Sequence, residues 1–210
     1  MRLSVELWDC EKGEAVEAEL FDDVAVDHFV EAQREWRPVV KEATARLAKA
    51  GAKPILIPRH FHWDWTRKEA DLEMLAITFY GISCGGNLQG LLKLLTAGYS
   101  CRLPEQLGKP LVYVDYLETA PWNIKILMNA LGQSPRFGAV GTRLIEAAVR
   151  KSNEEGFKGR LGLHSLPNSE RFYLGACRMT AVGRDPAKQN LLWLEFTPEQ
   201  AERFLSGETA

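Results

Sequence analysis

The order of the elements that the sequence predicts indicates an α+β fold, of the mixed α/β kind. Apolar runs of strand length follow one another in the middle of the chain, and helices alternate with strands in its second half. Of the 210 residues, 46% are hydrophobic and 26% are charged, as in ordinary globular domains. This length and composition suffice for one sizeable core, so we expect a single domain over residues 1–210.

A short hairpin and a long helix are predicted near the start of the chain. Leu3–Trp8 and Ala15–Leu20 alternate between apolar and polar residues on either side of a turn-like segment. Asp22–Asp23 then has the composition of a helix N-cap, and apolar residues recur at helical spacing until Gly51. Within this helix Pro38 removes a backbone donor, so we expect a kink or a break there.

Three strands are predicted in the middle of the chain, over Leu75–Cys84, Leu88–Leu95 and Pro110–Thr119. Gly85–Asn87 separates the first two strands and is a strong turn signal. Consecutive strands usually lie beside one another in the sheet. We therefore expect an antiparallel meander.

The second half of the chain alternates between helices and strands. Gly138–Asn153 places apolar residues on one helical face, and Arg160–Leu166 and Leu191–Thr197 have the composition of strands. A short helix is predicted to begin at Asn168. Thr197–Gln200 is a typical helix start, with a threonine cap, a proline in the first position and a glutamine in the third.

The charge distribution argues against nucleic acid and membrane partners. The formal net charge is −2, and acidic and basic residues are mixed along the chain. The longest apolar stretches, such as Gly90–Leu95 and Leu111–Val114, are far shorter than the ~20 residues of a membrane-spanning helix. Glu6 and Asp9 stand where a signal peptide would have its apolar centre.

The cysteines indicate a reducing compartment. Cys10, Cys84, Cys101 and Cys177 are scattered and form no C-x-x-C pair. A chain of this length does not need disulfides to fold. We therefore expect free thiols and a cytoplasmic protein.

The segment Arg136–Thr142 is the strongest candidate for a binding site. It follows the strand that ends at Thr119 and opens a helix, and its small residues leave the backbone N–H groups accessible. The first N–H groups of a helix have no internal acceptor, and the helix dipole favours negative charge there. The turn can therefore hold a pyrophosphate, although the same residues would also suit close packing of the helix on a strand.

Two other phosphate-binding motifs do not fit this segment. A Walker A loop requires a lysine directly after its last glycine, whereas Gly141 is followed by Thr142 and Arg143. A Rossmann dinucleotide site requires an acidic residue at the end of a second strand, ~20 residues further on. In this chain that zone is Glu155–Lys158, at the end of a helix.

The segment resembles the cofactor motif of the GNAT N-acetyltransferases, Arg/Gln-x-x-Gly/Ala-x-Gly/Ala. Arg136–Gly141 matches it, with alanine in the fourth place. Upstream, Leu117–Pro121 is similar to the end of the family's central strand. Downstream, Asn168 followed by Phe172–Tyr173 resembles the family's Asn…Phe-Tyr segment.

The resemblance implies a twisted, mostly antiparallel sheet flanked by helices. Residues 75–197 would be the core of the domain, and residues 1–70 would be an N-terminal part that is not typical of the family. The resemblance also implies acetyl-CoA or another acyl-CoA as cofactor, and direct transfer of the acyl group to an amine in a ternary complex. The residues that match cofactor-binding positions are Leu117, Thr119, Arg136, Phe137, Gly138, Ala139, Val140, Gly141, Thr142 and Asn168.

The resemblance makes Tyr173 the candidate acid that protonates the CoA thiolate as it leaves. Three residues remain candidates for the base that takes a proton from the amine. Asp115 and Glu118 lie three positions apart on one predicted strand, so their side chains should point to opposite faces and at most one should reach the substrate. His164, at the end of the following strand, ordinarily titrates near neutrality. The alternative for each is an ordinary packed or surface residue.

The aromatic segment that contains His60, His62 and Asp64 is the candidate for an acceptor pocket. In an extended strand these side chains would share one face, and two imidazoles with a carboxylate would also suit zinc. A hydrolase motif of this kind would have a further histidine where Trp65 stands, so we expect a pocket without a metal, or ordinary packing. Trp122 and Asn123 are further pocket candidates, with a simple turn as the alternative.

Three classes of function remain open at this point. The first is an acyl-CoA-dependent N-acetyltransferase that acts on a small-molecule or peptide amine. The second is a non-catalytic acyl-CoA-binding or sensor protein of the same fold, and the third is a metal-dependent hydrolase. The sequence does not identify the acceptor amine, and it does not decide whether the protein forms a homodimer.

Overall fold

The computed structural model describes residues 1–52 and 62–207, and in this part of the chain it contains nine β-strands and four α-helices. The strands are β1 Arg2–Asp9, β2 Glu14–Phe21, β3 Ile77–Cys84, β4 Asn87–Leu95, β5 Val112–Thr119, β6 Phe137–Gly138, β7 Leu161–Ser165, β8 Thr180–Asp185 and β9 Leu191–Glu195. The helices are α1 Val26–Lys49, α2 Lys125–Leu131, α3 Val140–Glu154 and α4 Pro198–Ser206. None of the helices in these residues is long and apolar enough to cross a membrane.

The strands form one sheet in the order β6-β1-β2-β3-β4-β5-β7-β9-β8. β1 and β2 pair along their whole length, as the predicted hairpin requires, and β3, β4 and β5 are neighbours. β2–β3, β7–β9 and β8–β9 pair antiparallel. β5 and β7 are parallel, and their ladder joins Val112 with Leu161 and Tyr113 with Gly162. The predicted mixed α+β fold with a mostly antiparallel sheet is confirmed.

The chain divides into two compact units. The first unit comprises Met1–Met74, Phe79–Leu92 and Leu117–Leu144, and the second comprises Leu75–Thr78, Lys93–Tyr116 and Ile145–Ala210. β3, β4, β5 and α3 contribute residues to both units. The single domain over residues 1–210 stays a prediction.

The core of the first unit includes the apolar face of α1. Its buried side chains recur three and four residues apart, as on an amphipathic helix, at Phe29, Ala32, Trp36, Val40 and Ala43. Two of them, Val40 and Ala43, pack against Leu127 and Met128 of α2.

α1 differs from its prediction at its start and at Pro38. The helix begins after Ala25, whose N–H donates to the His28 ring at 3.0 Å. The two predicted cap residues instead form ion pairs, Asp22 with the amine of Met1 and Asp23 with Arg2. α1 also runs through Pro38 as one helix, so the predicted break is wrong. Pro38 is exposed, so water can hydrate the carbonyl that loses its helical donor.

In the second unit the buried carboxylate of Glu195 ties a loop to β9. It accepts hydrogen bonds from the backbone N–H groups of Arg102 and Leu103, from the side-chain amide of Gln106 and from the indole of Trp193. A carboxylate can be buried at this position because donors surround it.

α4 begins as the sequence predicts. The Thr197 hydroxyl accepts a hydrogen bond from the backbone N–H of Gln200 at 3.3 Å, and the Gln200 side chain accepts one from the N–H of Thr197 at 3.0 Å. This reciprocal capping satisfies two donors that the first turn of the helix leaves without internal acceptors.

Candidate functional site

The turn before α3 is anchored to the N-terminal hairpin. Phe137 and Gly138 form the short strand β6, which pairs antiparallel with Asp9 and Trp8 of β1. Just before it, the carbonyl of Arg136 accepts a hydrogen bond from the N–H of Cys10 at 2.8 Å. The turn is therefore held by strand pairing and does not depend on helix packing alone.

The N-terminus of α3 leaves donors available for an anion. The N–H groups of Val140, Gly141 and Thr142 have no hydrogen-bond acceptor within residues 1–52 and 62–207, and the N–H of Arg143 is the first to bond back, to Ala139 at 3.0 Å. Unpaired N–H groups at the positive end of a helix dipole can hold a phosphate. Arg136–Thr142 thus opens a helix, as the sequence predicts, and its role as a phosphate site stays a prediction.

α3 lies very close to β4. A Cβ atom added to Gly90 would lie 2.9 Å from the Val140 Cγ1 atom and 3.0 Å from the Leu144 Cδ1 atom. Glycine at position 90 therefore permits the close approach of the first turn of α3 to the sheet.

Ala139 has the backbone angle φ 68°, in the left-handed region that L-residues other than glycine adopt at a cost of roughly 1–2 kcal/mol. Replacing Ala139 by glycine should therefore raise the free energy of unfolding by up to about 1 kcal/mol, after the larger entropy of an unfolded glycine is subtracted. The measurement is urea unfolding of the purified protein. Ala45→Gly is the matched control, because Ala45 is exposed within α1 and glycine there should cost about 1 kcal/mol. Equal destabilisation by both variants would contradict the argument.

Trp122 and Asn123 are predicted to line a pocket. In the structure their side chains form hydrogen bonds that support the turn before α3. The Trp122 indole donates to the Gln89 side-chain oxygen at 2.8 Å, and the Asn123 amide donates to the same oxygen at 3.0 Å. Asn123 also accepts a hydrogen bond from the N–H of Phe137 at 3.0 Å. The Arg136 guanidinium lies 5.1 Å from the centre of the Trp122 ring.

Leu117 and Thr119 are half-buried at the end of β5 in the first unit, and Glu118 between them is buried. The carboxylate of Glu118 pairs with Arg37 of α1 and accepts a hydrogen bond from the Trp65 indole at 2.7 Å. Burial raises the pKa of Glu118, and the Arg37 guanidinium opposes this shift. Glu118 is one of the candidate bases that the sequence predicts, whereas Arg37 is not among the predicted site residues.

Asp115, in the second unit, pairs with Lys93 at 2.7 Å. Its side chain is 25% exposed, whereas those of Glu118 and His164 are 1% and 3% exposed. Among the three candidate bases, Asp115 is therefore the one that solvent reaches most easily.

His164 uses both ring nitrogens within the second unit. Its Nδ1 atom lies 3.0 Å from the Tyr113 hydroxyl, and its Nε2 atom lies 3.0 Å from an oxygen of Asp185. Burial lowers the pKa of His164, whereas the Asp185 carboxylate opposes this shift. Hydrogen bonds from Arg102 and His164 lower the pKa of Asp185 to about 2. Asp185 therefore accepts the Nε2 proton, and His164 Nδ1 accepts from Tyr113.

Tyr173 lies in a π-helical turn, Phe172–Ala176, in the second unit. Its ring is buried and meets the Phe172 ring edge-on, with the ring centres 5.0 Å apart. Its hydroxyl has no hydrogen-bond partner among the described residues, and burial raises its pKa. Asn168, upstream of this turn, is exposed.

The predicted acceptor segment is described only from His62 onward, and His60 lies outside the described residues. His62 is exposed. The carboxylate of Asp64 accepts hydrogen bonds from the Thr66 N–H at 3.0 Å and the Thr66 hydroxyl at 2.6 Å, and it lies 3.4 Å from Arg67. Asp64 therefore stabilises the start of the short 3-10 helix Thr66–Glu73. Within the described ranges no three His, Cys, Asp or Glu residues are grouped so as to hold a metal ion.

Two residues of this site, Gln89 and Arg37, have no motif that would have identified them. One weak signal exists for Gln89, since it is a polar residue inside the apolar strand β4. Arg37 lies on a helix with many charged residues, so nothing in the sequence separates it from a solvent-exposed arginine.

The sequence matches no protein-family model and no curated protein. Its structure is similar to several solved structures at low sequence identity. One is an uncharacterised protein from Bacillus halodurans, with a TM-score of 0.57 and 12% identity over 97% of this chain and 94% of that one.

Two further similar structures are acetyltransferases. The PaiA N-acetyltransferase from Thermoplasma acidophilum, crystallised with coenzyme A, has a TM-score of 0.51 and 12% identity over 86% of this chain and 98% of that one. Aminoglycoside 6′-acetyltransferase type Ii has a TM-score of 0.50 and 10% identity over 85% and 96%. At these identities the likeness concerns the fold, and the fold of this chain is that of the GNAT N-acetyltransferases.

Proposed function

We propose that the protein is an acyl-CoA-dependent N-acyltransferase that moves an acetyl or other acyl group from CoA to an amine. The observation that carries this proposal is the N-terminus of α3. The N–H groups of Val140, Gly141 and Thr142 there find no acceptor in the part of the chain that the structure describes, and hydrogen bonds hold the turn before them. The fold supports the same reading, because a protein of this fold has been crystallised with coenzyme A.

In this proposal the turn Arg136–Thr142 holds the pyrophosphate through backbone N–H groups and the helix dipole. The backbone of Leu117 and Thr119 binds the pantetheine arm and polarises the thioester carbonyl, and Asn168 contributes to the cofactor site. The acyl-CoA supplies the activated thioester. The acceptor is a small-molecule or peptide amine, and its pocket includes the segment from His62 to Asp64.

Direct transfer needs one group that takes a proton from the amine and one that returns a proton to the thiolate. Tyr173 is the proposed acid, because it stands at the position that the family resemblance gives to the acid and a tyrosine hydroxyl carries its proton at neutral pH. Asp115 is the proposed base in preference to Glu118 and His164, because it is more exposed. Carbon–sulfur cleavage and carbon–nitrogen bond formation then leave free CoA and an amide.

CoA binding tests the proposed phosphate site. At a hundredfold excess over its dissociation constant, CoA should stabilise the wild-type protein by about 2.7 kcal/mol. Gly141→Glu should abolish this gain, because it places bulk and negative charge at the first turn of α3. The measurement is thermal unfolding with and without CoA.

Asn153→Glu is the control for this variant, because Asn153 is exposed near the other end of α3. It adds the same charge ~20 Å away along the helix and should leave the stabilisation by CoA intact. An undiminished CoA effect in folded Gly141→Glu protein would contradict the assignment of the turn.

A non-catalytic acyl-CoA-binding protein is the second candidate. It is favoured by the hydrogen bonds that occupy the carboxylate of Glu118 and both ring nitrogens of His164. Such a protein would gain stability from CoA but would release no CoA from acetyl-CoA over a panel of amines. Measurable release with any amine would decide for the enzyme.

A further inference from the structure

Gln89 is a buried polar residue in the apolar strand β4, and its partners explain how it is accommodated there. The residue is 2% exposed. A buried amide costs free energy unless its donor and acceptor atoms are paired. Each end of the Gln89 amide has partners in the first unit.

The partners fix the orientation of the Gln89 amide. Its nitrogen donates to the carbonyls of Asn87 at 3.2 Å and Cys84 at 3.4 Å. Its oxygen therefore faces the other way and accepts from Trp122 and from Asn123, at 2.8 and 3.0 Å. A reversed amide would place its oxygen against two carbonyl oxygens and lose all four contacts.

Gln89 in turn fixes the orientation of Asn123. Since the Asn123 nitrogen donates to Gln89, its oxygen faces the turn, where it accepts a hydrogen bond from the Phe137 N–H at 3.0 Å. Two amides in series thus connect the interior of β4 to the backbone at Phe137, two residues before Ala139. We call Gln89, Asn123 and the Phe137 N–H the amide relay.

We propose that Gln89 is a positioning residue for the turn Arg136–Thr142, which we call the phosphate turn. It acts through Asn123 on the backbone at Phe137. The amide relay holds the turn in the conformation that keeps Ala139 at φ 68° and leaves the first N–H groups of α3 open. When an anion site already has its binding conformation, the free energy of binding is not reduced by the cost of ordering the site. This inference rests on the proposed function, since it assigns a role within the same cofactor site.

The first test compares CoA affinity in two glutamine variants by calorimetry. Gln89→Leu should weaken CoA binding about tenfold or more, because Asn123 can then rotate and release Phe137. Gln106→Leu is the matched control, because Gln106 is also buried and its amide bonds to Glu195 within the second unit, with no hydrogen bond to a member of the relay. It should lose thermal stability to a similar extent, yet it should keep the wild-type dissociation constant within about twofold.

The second test is a double-mutant cycle with Asn123→Ala. If the two side chains act in series, each single variant should weaken CoA binding about tenfold and the double variant should be no weaker than the singles. A hundredfold loss in the double variant would mean independent effects and would overturn the relay. Unchanged CoA affinity in folded Gln89→Leu or Asn123→Ala protein would overturn it as well.

Amide hydrogen exchange provides a measurement that does not depend on CoA. In the wild-type protein the Phe137 N–H should be protected, and Gln89→Leu should speed its exchange while Gln106→Leu should not. If the wild type fails to bind CoA, the proposed function fails even where this exchange pattern holds. If the wild type binds CoA and Gln89→Leu changes neither exchange nor affinity, the positioning role alone is wrong.

Discussion

Tyr173→Phe is expected to lower turnover by about two to four orders of magnitude, the usual contribution of a general acid. The variant removes one hydroxyl and keeps the ring that packs against Phe172 in the π-helical turn. Because the hydroxyl has no hydrogen-bond partner among the described residues, its removal should cost little stability. The measurement is CoA release with an amine that the wild type acylates, beside the dissociation constant of CoA, which should not change.

Tyr99→Phe is the matched control for the loss of a tyrosine hydroxyl. Tyr99 is a partly buried tyrosine of the same unit, whose ring stacks on Tyr113 with the ring centres 3.8 Å apart. It is not part of the proposed site, so its variant should turn over at the wild-type rate. Full activity in Tyr173→Phe would show that water protonates the thiolate and that Tyr173 only packs.

Arg37→Met is expected to cost about 3–5 kcal/mol of unfolding free energy, the largest stability effect that we expect in this chain. Arg37 pairs with the buried carboxylate of Glu118, and its removal leaves that charge with the weaker attraction of Lys68 and the hydrogen bond from Trp65. Arg34→Ala is the control, because Arg34 and Glu35 form an exposed pair that should contribute less than about 1 kcal/mol. Chemical denaturation measures both.

The double variant Arg37→Met/Glu118→Gln separates loss of charge compensation from loss of packing. The neutral amide that replaces the carboxylate no longer needs a cation and can still accept a hydrogen bond from Trp65. The double variant should therefore be more stable than Arg37→Met alone. If it is less stable, the packing of the arginine and not its charge would be what matters.

Protonation of Glu118 should make the stability of the Arg37→Met variant depend on pH. Burial raises the pKa of Glu118 in the folded state, and removing the guanidinium should raise it further. A carboxyl whose pKa is raised by folding favours the folded state most below its unfolded pKa, and this contribution is lost as the pH rises through the folded pKa. The variant should thus regain part of its stability in mild acid.

Local signals were sufficient for most of the sheet and for the ends of two helices. The alternation in β1 and β2, the glycine turn before β4 and the threonine cap of α4 depend on residues close in sequence. β8 was missed because this strand at the edge of the sheet is mostly exposed and has an irregular register between Ala181 and Gly183. α2 has only seven residues, which are too few to show a clear helical period in the sequence.

The site shows the same division between local and long-range information. The turn Arg136–Thr142 could be predicted because its small residues and the helix that follows are contiguous. Arg37 and Glu118 are 81 positions apart, and Gln89 and Trp122 are 33 apart, so only the folded chain brings each pair together. The sequence therefore identifies Glu118 as a candidate base. It does not show that its carboxylate pairs with Arg37 and accepts a hydrogen bond from the Trp65 indole.

The pairing of β6 with β1 places Trp8, whose fluorescence can report on ligand binding, beside the phosphate turn. Trp8 is 50% exposed and lies opposite Gly138, whereas Trp36, Trp65 and Trp193 are buried. A half-exposed indole changes its emission when its hydration changes, so an anion that settles on the adjacent turn would alter the fluorescence of the unlabelled protein. A Trp8→Phe variant would identify the source of that signal and would allow ligand titrations at micromolar protein without a dye.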